Sequence, residues 1–137
     1  MATAKKAAAP PAASTGDDWS TAELAEVRTA LDAERDRLRA EITESEAEIA
    51  DLLRDAADPA GDDQADAGSK TFEREHEMSL AASQREMLAQ VDRAVARMAD
   101  GSYGVCESCG NPIGKARLQA FPRATLCMAC KQRMERR

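Results

Sequence analysis

Cys106 and Cys109 form one C-x-x-C pair and Cys127 and Cys130 form a second, with seventeen residues between the pairs. Thiolates are soft ligands, and two such pairs folded onto one another supply the four sulfurs of a tetrahedral zinc site. Gly104 before the first pair and Gly110 directly after it offer the backbone freedom that a tight knuckle needs. There is no fifth cysteine, and the lone histidine, His76, stands in a glutamate-rich stretch far from the pairs. Metal sites need convergent ligands, so His76 is read as part of a solvated helix face. Four thiolates leave no open coordination position. A single zinc ion held by Cys106, Cys109, Cys127 and Cys130 is therefore expected to hold the fold and to catalyse nothing.

Two other uses of four cysteines compete with this one. Paired disulfides belong to secreted proteins, but residues 1–16 lack the apolar stretch of a signal peptide, and the chain is read as cytoplasmic. A thioredoxin-like redox pair belongs at the end of a strand in a βαβ unit, and no such unit is legible. No Ser/His/Asp arrangement, phosphate-cradling glycine loop or open metal site can be read, so the protein is not expected to be an enzyme.

The elements that must position the cysteines follow from composition. The 137 residues include only four aromatics: Trp19, Phe72, Tyr103 and Phe121. Much of the 43% hydrophobic content is alanine, and 32% of residues are charged, which suits long helices packed along a narrow seam rather than a broad core. No run is long and apolar enough to span a membrane.

Residues 1–16 are low in complexity, have nothing to bury, and are expected to be disordered. Structure begins at Ser20 and Glu23, which have the spacing of a capping box, with Trp19 and Leu24 placed as a hydrophobic staple. Leu24, Val27, Leu31, Leu38, Ile42, Ile49 and Leu52 recur at helical spacing and predict a helix of about 35 residues with one apolar stripe. Asp58, Pro59 and Gly61 stop it. A second pattern starts near Lys70 and runs through Ala81, Gln84, Leu88, Val91, Val95 and Met98 to Gly101. The expected fold is mostly α. Residues 17–100 form an antiparallel coiled-coil hairpin with its tip near 56–69, roughly 50 Å long, and residues 101–137 form a four-cysteine zinc finger with a terminal helix. Tyr103 and Phe121 are expected to cover the zinc knuckles, and Met78, Met87 and Met98 to pack inside the hairpin. Lys131, Arg133, Arg136 and Arg137 read as the cationic end of a helix leaving the last knuckle.

Charge is segregated. The net charge is −6, but residues 17–100 hold 23 acids against 10 bases, whereas residues 101–137 hold seven bases against two acids. Asp55, Asp58, Asp62, Asp63 and Asp66 crowd the turn with no base among them. Aspartates favour turns and helix N-termini for local reasons, but at the point of a stiff hairpin they could also reach a metal or a basic groove in another molecule. A nucleic-acid binder built to neutralise phosphates would not carry so negative an arm, so direct sequence-specific DNA binding is not expected.

Gly101, Tyr103, Gly104, Cys106, Glu107, Cys109 and Gly110, followed by Ile113, Gly114, Arg117, Leu118, Ala120, Pro122, Ala124, Cys127, Cys130 and Lys131, make this chain resemble the DksA/TraR family of bacterial RNA polymerase regulators. Met87, Leu88, Val91, Asp92, Ala94, Arg97 and Met98 resemble the family's second helix. The likeness covers about residues 20–135, the first helix matching only in its periodicity. It implies a protein that binds bacterial RNA polymerase, with the zinc finger at the rim of the secondary channel. The hairpin would enter so that Asp63 and Asp66 approach the catalytic centre, altering open-complex stability. The family's D-x-x-D-x-A motif is met by Asp63 and Asp66, with Gly68 in place of the alanine, which implies weaker action on promoters. Lys131 matches a family lysine that contacts guanosine tetraphosphate (ppGpp). Ser83 and Gln90 stand where basic partners are found, so ppGpp dependence is expected to be weak or absent. A monomer is expected, because the two helices can cover each other's stripes.

Two other classes fit the same residues. A zinc-headed coiled-coil adaptor for another protein would be indifferent to Asp63→Asn and Asp66→Asn, and a thiol or zinc redox sensor would release metal under mild oxidant.

Overall fold

The computed structural model describes residues 19–57 and 64–136. The expectation of a disordered segment at 1–16, and the aspartates Asp58, Asp62 and Asp63, lie outside the described residues. Four helices follow in order: α1 (Thr21–Ala57), α2 (Gln64–Asp100), α3 (Lys115–Ala120) and α4 (Met128–Glu135). Among the described residues no strand forms beyond an isolated antiparallel bridge between Val105 and Pro112.

The start of α1 is set by its own sequence. The Ser20 amide donates to Glu23 Oε1 at 2.9 Å, and the Glu23 amide donates to Ser20 Oγ at 3.0 Å, so two orphan donors of the first turn are satisfied reciprocally. The end of α2 is equally local: the Ser102 amide reaches over Gly101 to the Arg97 carbonyl at 2.9 Å, the long hydrogen bond of a Schellman ending.

The chain divides into two units, one comprising residues up to Arg35 together with those from Ala89 onward, the other Asp36–Leu88. In the first, Val27 and Leu31 of α1 and Val91 and Ala94 of α2 are buried. The periodicity had put Val95 on this stripe. Ala94 is the buried residue and Val95 only half-buried, because a seam this narrow favours the smaller side chain where two helices come close. In the second unit Leu38, Ile42 and Ala81 are buried, together with the polar pair Ser45 and Gln84. Ser45 Oγ donates to Gln84 Oε1 at 3.0 Å, and Arg85 bridges to Glu46 at 2.8 Å, so α1 and α2 are tied by polar as well as apolar contacts. Elsewhere in this unit burial thins: Ile49 and Leu52 are half-buried, and Leu53, Phe72, Met78 and Leu80 are exposed. Met78 is therefore a surface residue and not the packing residue its spacing suggested, whereas Met87 and Met98 are half-buried. No helix among the described residues is long and apolar enough to cross a membrane.

Candidate metal centre

The first cysteine pair sits on a turn folded back on itself. The Cys106 amide donates to the Asn111 carbonyl at 2.8 Å, the Gly110 amide to the Cys106 carbonyl at 3.0 Å, and the Ile113 amide to the Gly104 carbonyl at 2.8 Å. Gly104 and Gly110 adopt φ of 96° and 80°, where L side chains are strained, which is the role their positions suggested. At Gly104 a Cβ would also stand 3.5 Å from Nε1 of Trp19. The second pair brackets a helix start. Cys127 caps α4 and Cys130 lies in its first turn, with the Lys131 amide donating to the Cys127 carbonyl at 2.9 Å.

Together these elements bring the four sulfurs within 4.8 Å of one another. A tetrahedron with Zn–S bonds of about 2.3 Å sets its sulfurs about 3.8 Å apart. The Cys109 and Cys127 sulfurs are separated by 3.8 Å. The electrostatics point the same way. Burial opposes ionisation of Cys106, but the backbone amides of Cys127, Cys109 and Ser108 outweigh it and draw that thiol down to about 6. At Cys109 the Asn111 amide favours the thiolate, but desolvation and the sulfurs of Cys106, Cys130 and Cys127 push it up to about 11. Four thiolates gathered so closely need a cation among them. The residues fit zinc, with Cys106, Cys109, Cys127 and Cys130 as its holders; the ion would supply the cross-link that this small segment cannot build from apolar packing alone.

That apolar packing comprises the buried residues Ile113 and Leu118 and the two buried cysteines, with Trp19, Tyr103, Ala124 and Leu126 against them. Trp19 meets Tyr103 edge-on at 6.0 Å between ring centroids, and Nζ of Lys115 lies 5.4 Å from the Trp19 ring. Phe121 was expected to cover a knuckle. Instead it is 55% exposed, and Trp19 from before α1 takes that place beside Tyr103.

The finger is fastened to α1 and α2 by charged contacts. Lys115 pairs with Glu23 at 2.7 Å, Arg123 with Glu34 at 2.6 Å, and Arg93 with Glu107 at 3.4 Å. Arg97 donates to the carbonyls of Ser102 and Val105 at 3.1 and 2.5 Å.

Residues 101–136 match the model of the prokaryotic dksA/traR C4-type zinc finger. Over 117 residues, 85% of the chain, the sequence is 31% identical to the RNA polymerase-binding transcription factor DksA of Escherichia coli K12, of which it covers 74%. This chain belongs to the DksA family. It is also 38% identical over 96 residues to the factor of the same name from Caulobacter vibrioides NA1000, matching 70% of the chain and 66% of that relative, just under two thirds of its length. The solved structure of transcription factor DksA2 from Pseudomonas aeruginosa shares the fold with a TM-score of 0.68 at 34% identity, covering 85% of both chains.

Against the family pattern, Asp66 lies exposed in the first turn of α2 and Gly68 is helical, while Asp63 lies outside the described residues. A carboxylate in a first turn stabilises its own helix through the dipole, so Asp66 has a structural role as well as any it plays toward a partner. His76 is exposed, and among the described residues the only group of three or more metal-competent side chains is the cysteine set. Lys131 and Gln90 line one open cavity of about 220 Å³ together with Arg117, Phe121, Arg123 and Thr125. Ser83, in the other unit, is exposed. Sequence reasoning missed Arg117 and Arg123 as cavity residues. Their type was visible, but their convergence depends on the path between α3 and α4.

Proposed function

We propose that this protein is a transcription regulator that binds bacterial RNA polymerase through the secondary channel. The zinc finger docks at the rim, and the segment joining α1 to α2, with Asp63 and Asp66, works near the catalytic centre. The observation that carries the reading is the 31% identity to a named RNA polymerase-binding factor across 85% of the chain, helices included, and not over the finger alone. In this reading the metal is one structural zinc ion, and the protein acts as a monomer without sequence-specific DNA contacts and without catalysing a reaction.

The mechanism needs only differential binding. Asp63 and Asp66 bring negative charge to a site that holds magnesium and mobile elements. If they bind one polymerase conformation better than another, the population of open complexes shifts. Gly68 weakens the effect, because glycine lowers the helical preference at the start of α2 by roughly 0.5–1 kcal/mol and offers no methyl for a partner.

ppGpp is proposed to contribute little. Gln90 is uncharged, and the cations of the cavity are already engaged. Arg123 holds Glu34 at 2.6 Å and Gln90 at 2.9 Å, Lys131 holds Glu135 at 2.9 Å, and Arg117 donates to the Leu126 carbonyl at 3.2 Å. A polyanion would have to break these contacts to gain its own.

The test is retention of core RNA polymerase on the immobilised protein, followed by competition with a transcript-cleavage factor that uses the secondary channel. Displacement by that factor is the expected result. Binding that the factor leaves untouched, or no binding at all, would refute the proposal.

A further inference from the structure

Zinc held by four thiolates carries two net negative charges, and buried negative charge must be answered by donors. Besides the amides of Cys109, Cys127 and Asn111, two further donors among the described residues meet the sulfurs. The Ser108 amide lies 3.4 Å from the Cys106 sulfur, and Nη2 of Arg133 donates to the Cys130 sulfur at 3.0 Å. The second contact brings a full positive charge onto a ligand that is only 2% exposed. Its origin is local: residues three apart on a helix share a face, and Cys130 and Arg133 both lie in α4. The nearest acid in sequence, Glu135, is engaged by Lys131 at 2.9 Å, so it does not draw the guanidinium away from the sulfur.

We propose that Arg133 is a positioning residue of the zinc centre: its guanidinium anchors the Cys130 thiolate on the metal and lowers that sulfur's reactivity toward electrophiles. The inference rests on the zinc reading of the four cysteines. A hydrogen-bonded sulfur has less electron density to offer an incoming carbon or oxidant. Were zinc held there, a maleimide would draw the sulfur lone pair into a new S–C bond as the reagent's C=C π bond breaks, the displaced π electrons would take a proton from water, and the Zn–S bond would be lost. Arg133 opposes the first of these changes by holding the lone pair in a charge-assisted hydrogen bond.

The experiment uses full-length, zinc-loaded protein as wild type, Arg133→Leu, Arg133→Lys and Arg136→Leu, the last removing the same charge from the C-cap of α4. Zinc retention is measured against a chromophoric chelator, and zinc release is followed on adding N-ethylmaleimide. The sulfur-to-metal charge-transfer band is recorded on the cobalt-substituted forms. Arg133→Leu is expected to weaken zinc retention about ten-fold or more, to speed maleimide-driven release, and to move the cobalt band to lower energy. Arg133→Lys should restore part of each effect and Arg136→Leu should resemble wild type. Wild type that loads normally, with Arg133→Leu indistinguishable from it or matched by Arg136→Leu, would overturn the role of Arg133 alone. Wild type that takes up no metal would overturn the zinc reading and this inference with it.

Discussion

The carboxylate of Glu34 in α1 accepts a 2.6 Å hydrogen bond from Nη1 of Arg123, a residue 89 positions later between α3 and α4. Nε of the same guanidinium donates to Gln90 of α2 at 2.9 Å, so one side chain joins three parts of the chain. The pair is half-buried, with side-chain exposures of 31% and 16%, so solvent screens it only partly. Arg123→Ala is expected to cost about 1–2 kcal/mol, measured as a lower urea midpoint of the zinc-loaded protein. A double-mutant cycle with Glu34→Gln should show clear coupling; strict additivity would mean that the bond contributes nothing.

Ser45 and Gln84 form a buried polar contact in the seam between α1 and α2. Ser45→Ala removes the donor and leaves the Gln84 carbonyl oxygen without it. The expected loss is about 1–3 kcal/mol in urea unfolding. Ser45→Ala combined with Gln84→Leu should recover most of that loss, because an apolar pair leaves nothing unsatisfied. A double variant as weak as the single one would count against this account.

At Gly68 a Cβ would meet no atom within 4 Å, so alanine fits without any shift of its neighbours. Gly68→Ala should stabilise α2 by up to about 1 kcal/mol and, if the proposed function holds, change open-complex lifetimes more strongly than wild type does. Asp66→Asn should weaken the promoter effect while changing helix stability by only a few tenths of a kcal/mol. Equal promoter activity of wild type and Gly68→Ala would remove the reason for calling Gly68 a weakening departure.

Tyr103 donates its hydroxyl to the Pro122 carbonyl at 2.8 Å, and burial pushes its ionisation well above the ordinary tyrosine value of 10.0. The folded state therefore holds the phenol proton more tightly than the unfolded chain. That contribution is present in full below pH 10 and is lost as pH rises through the folded value. Thermal melts of zinc-loaded protein should show a stability loss above pH 10 that is smaller in Tyr103→Phe. At the acid end Glu23, held low by Lys115 and Ser20, favours folding above its ordinary value of 4.5, a contribution that fades as pH falls through its lower folded value.

Chelation of the reduced protein should release residues 101–136 from their fold, because four thiols at these separations repel once ionised and the apolar cluster beneath them is small. Limited proteolysis is expected to cut this segment quickly, while residues of α1 and α2 stay helical by circular dichroism. Protection of residues 101–136 equal to that of the zinc-loaded form would show that the metal is dispensable to the fold.

The amino-acid order alone determined what depends on neighbours a few residues apart. The reciprocal cap of Ser20 and Glu23, the two long helices, the halt at Gly101 and the gathering of Cys106, Cys109, Cys127 and Cys130 all follow from backbone preference, helical period and ligand spacing. The six-residue α3 escaped notice, being too short to show a period. Tertiary structure decided which groups from distant segments share one place. It set Trp19 against Tyr103 and left Phe121 in solvent; it chose Ala94 over Val95 for the seam; and it delivered Arg123 to Glu34 and Gln90. These outcomes depend on how closely helices approach and where a loop turns, and such distances are settled by the whole packed assembly rather than by any stretch of residues within it.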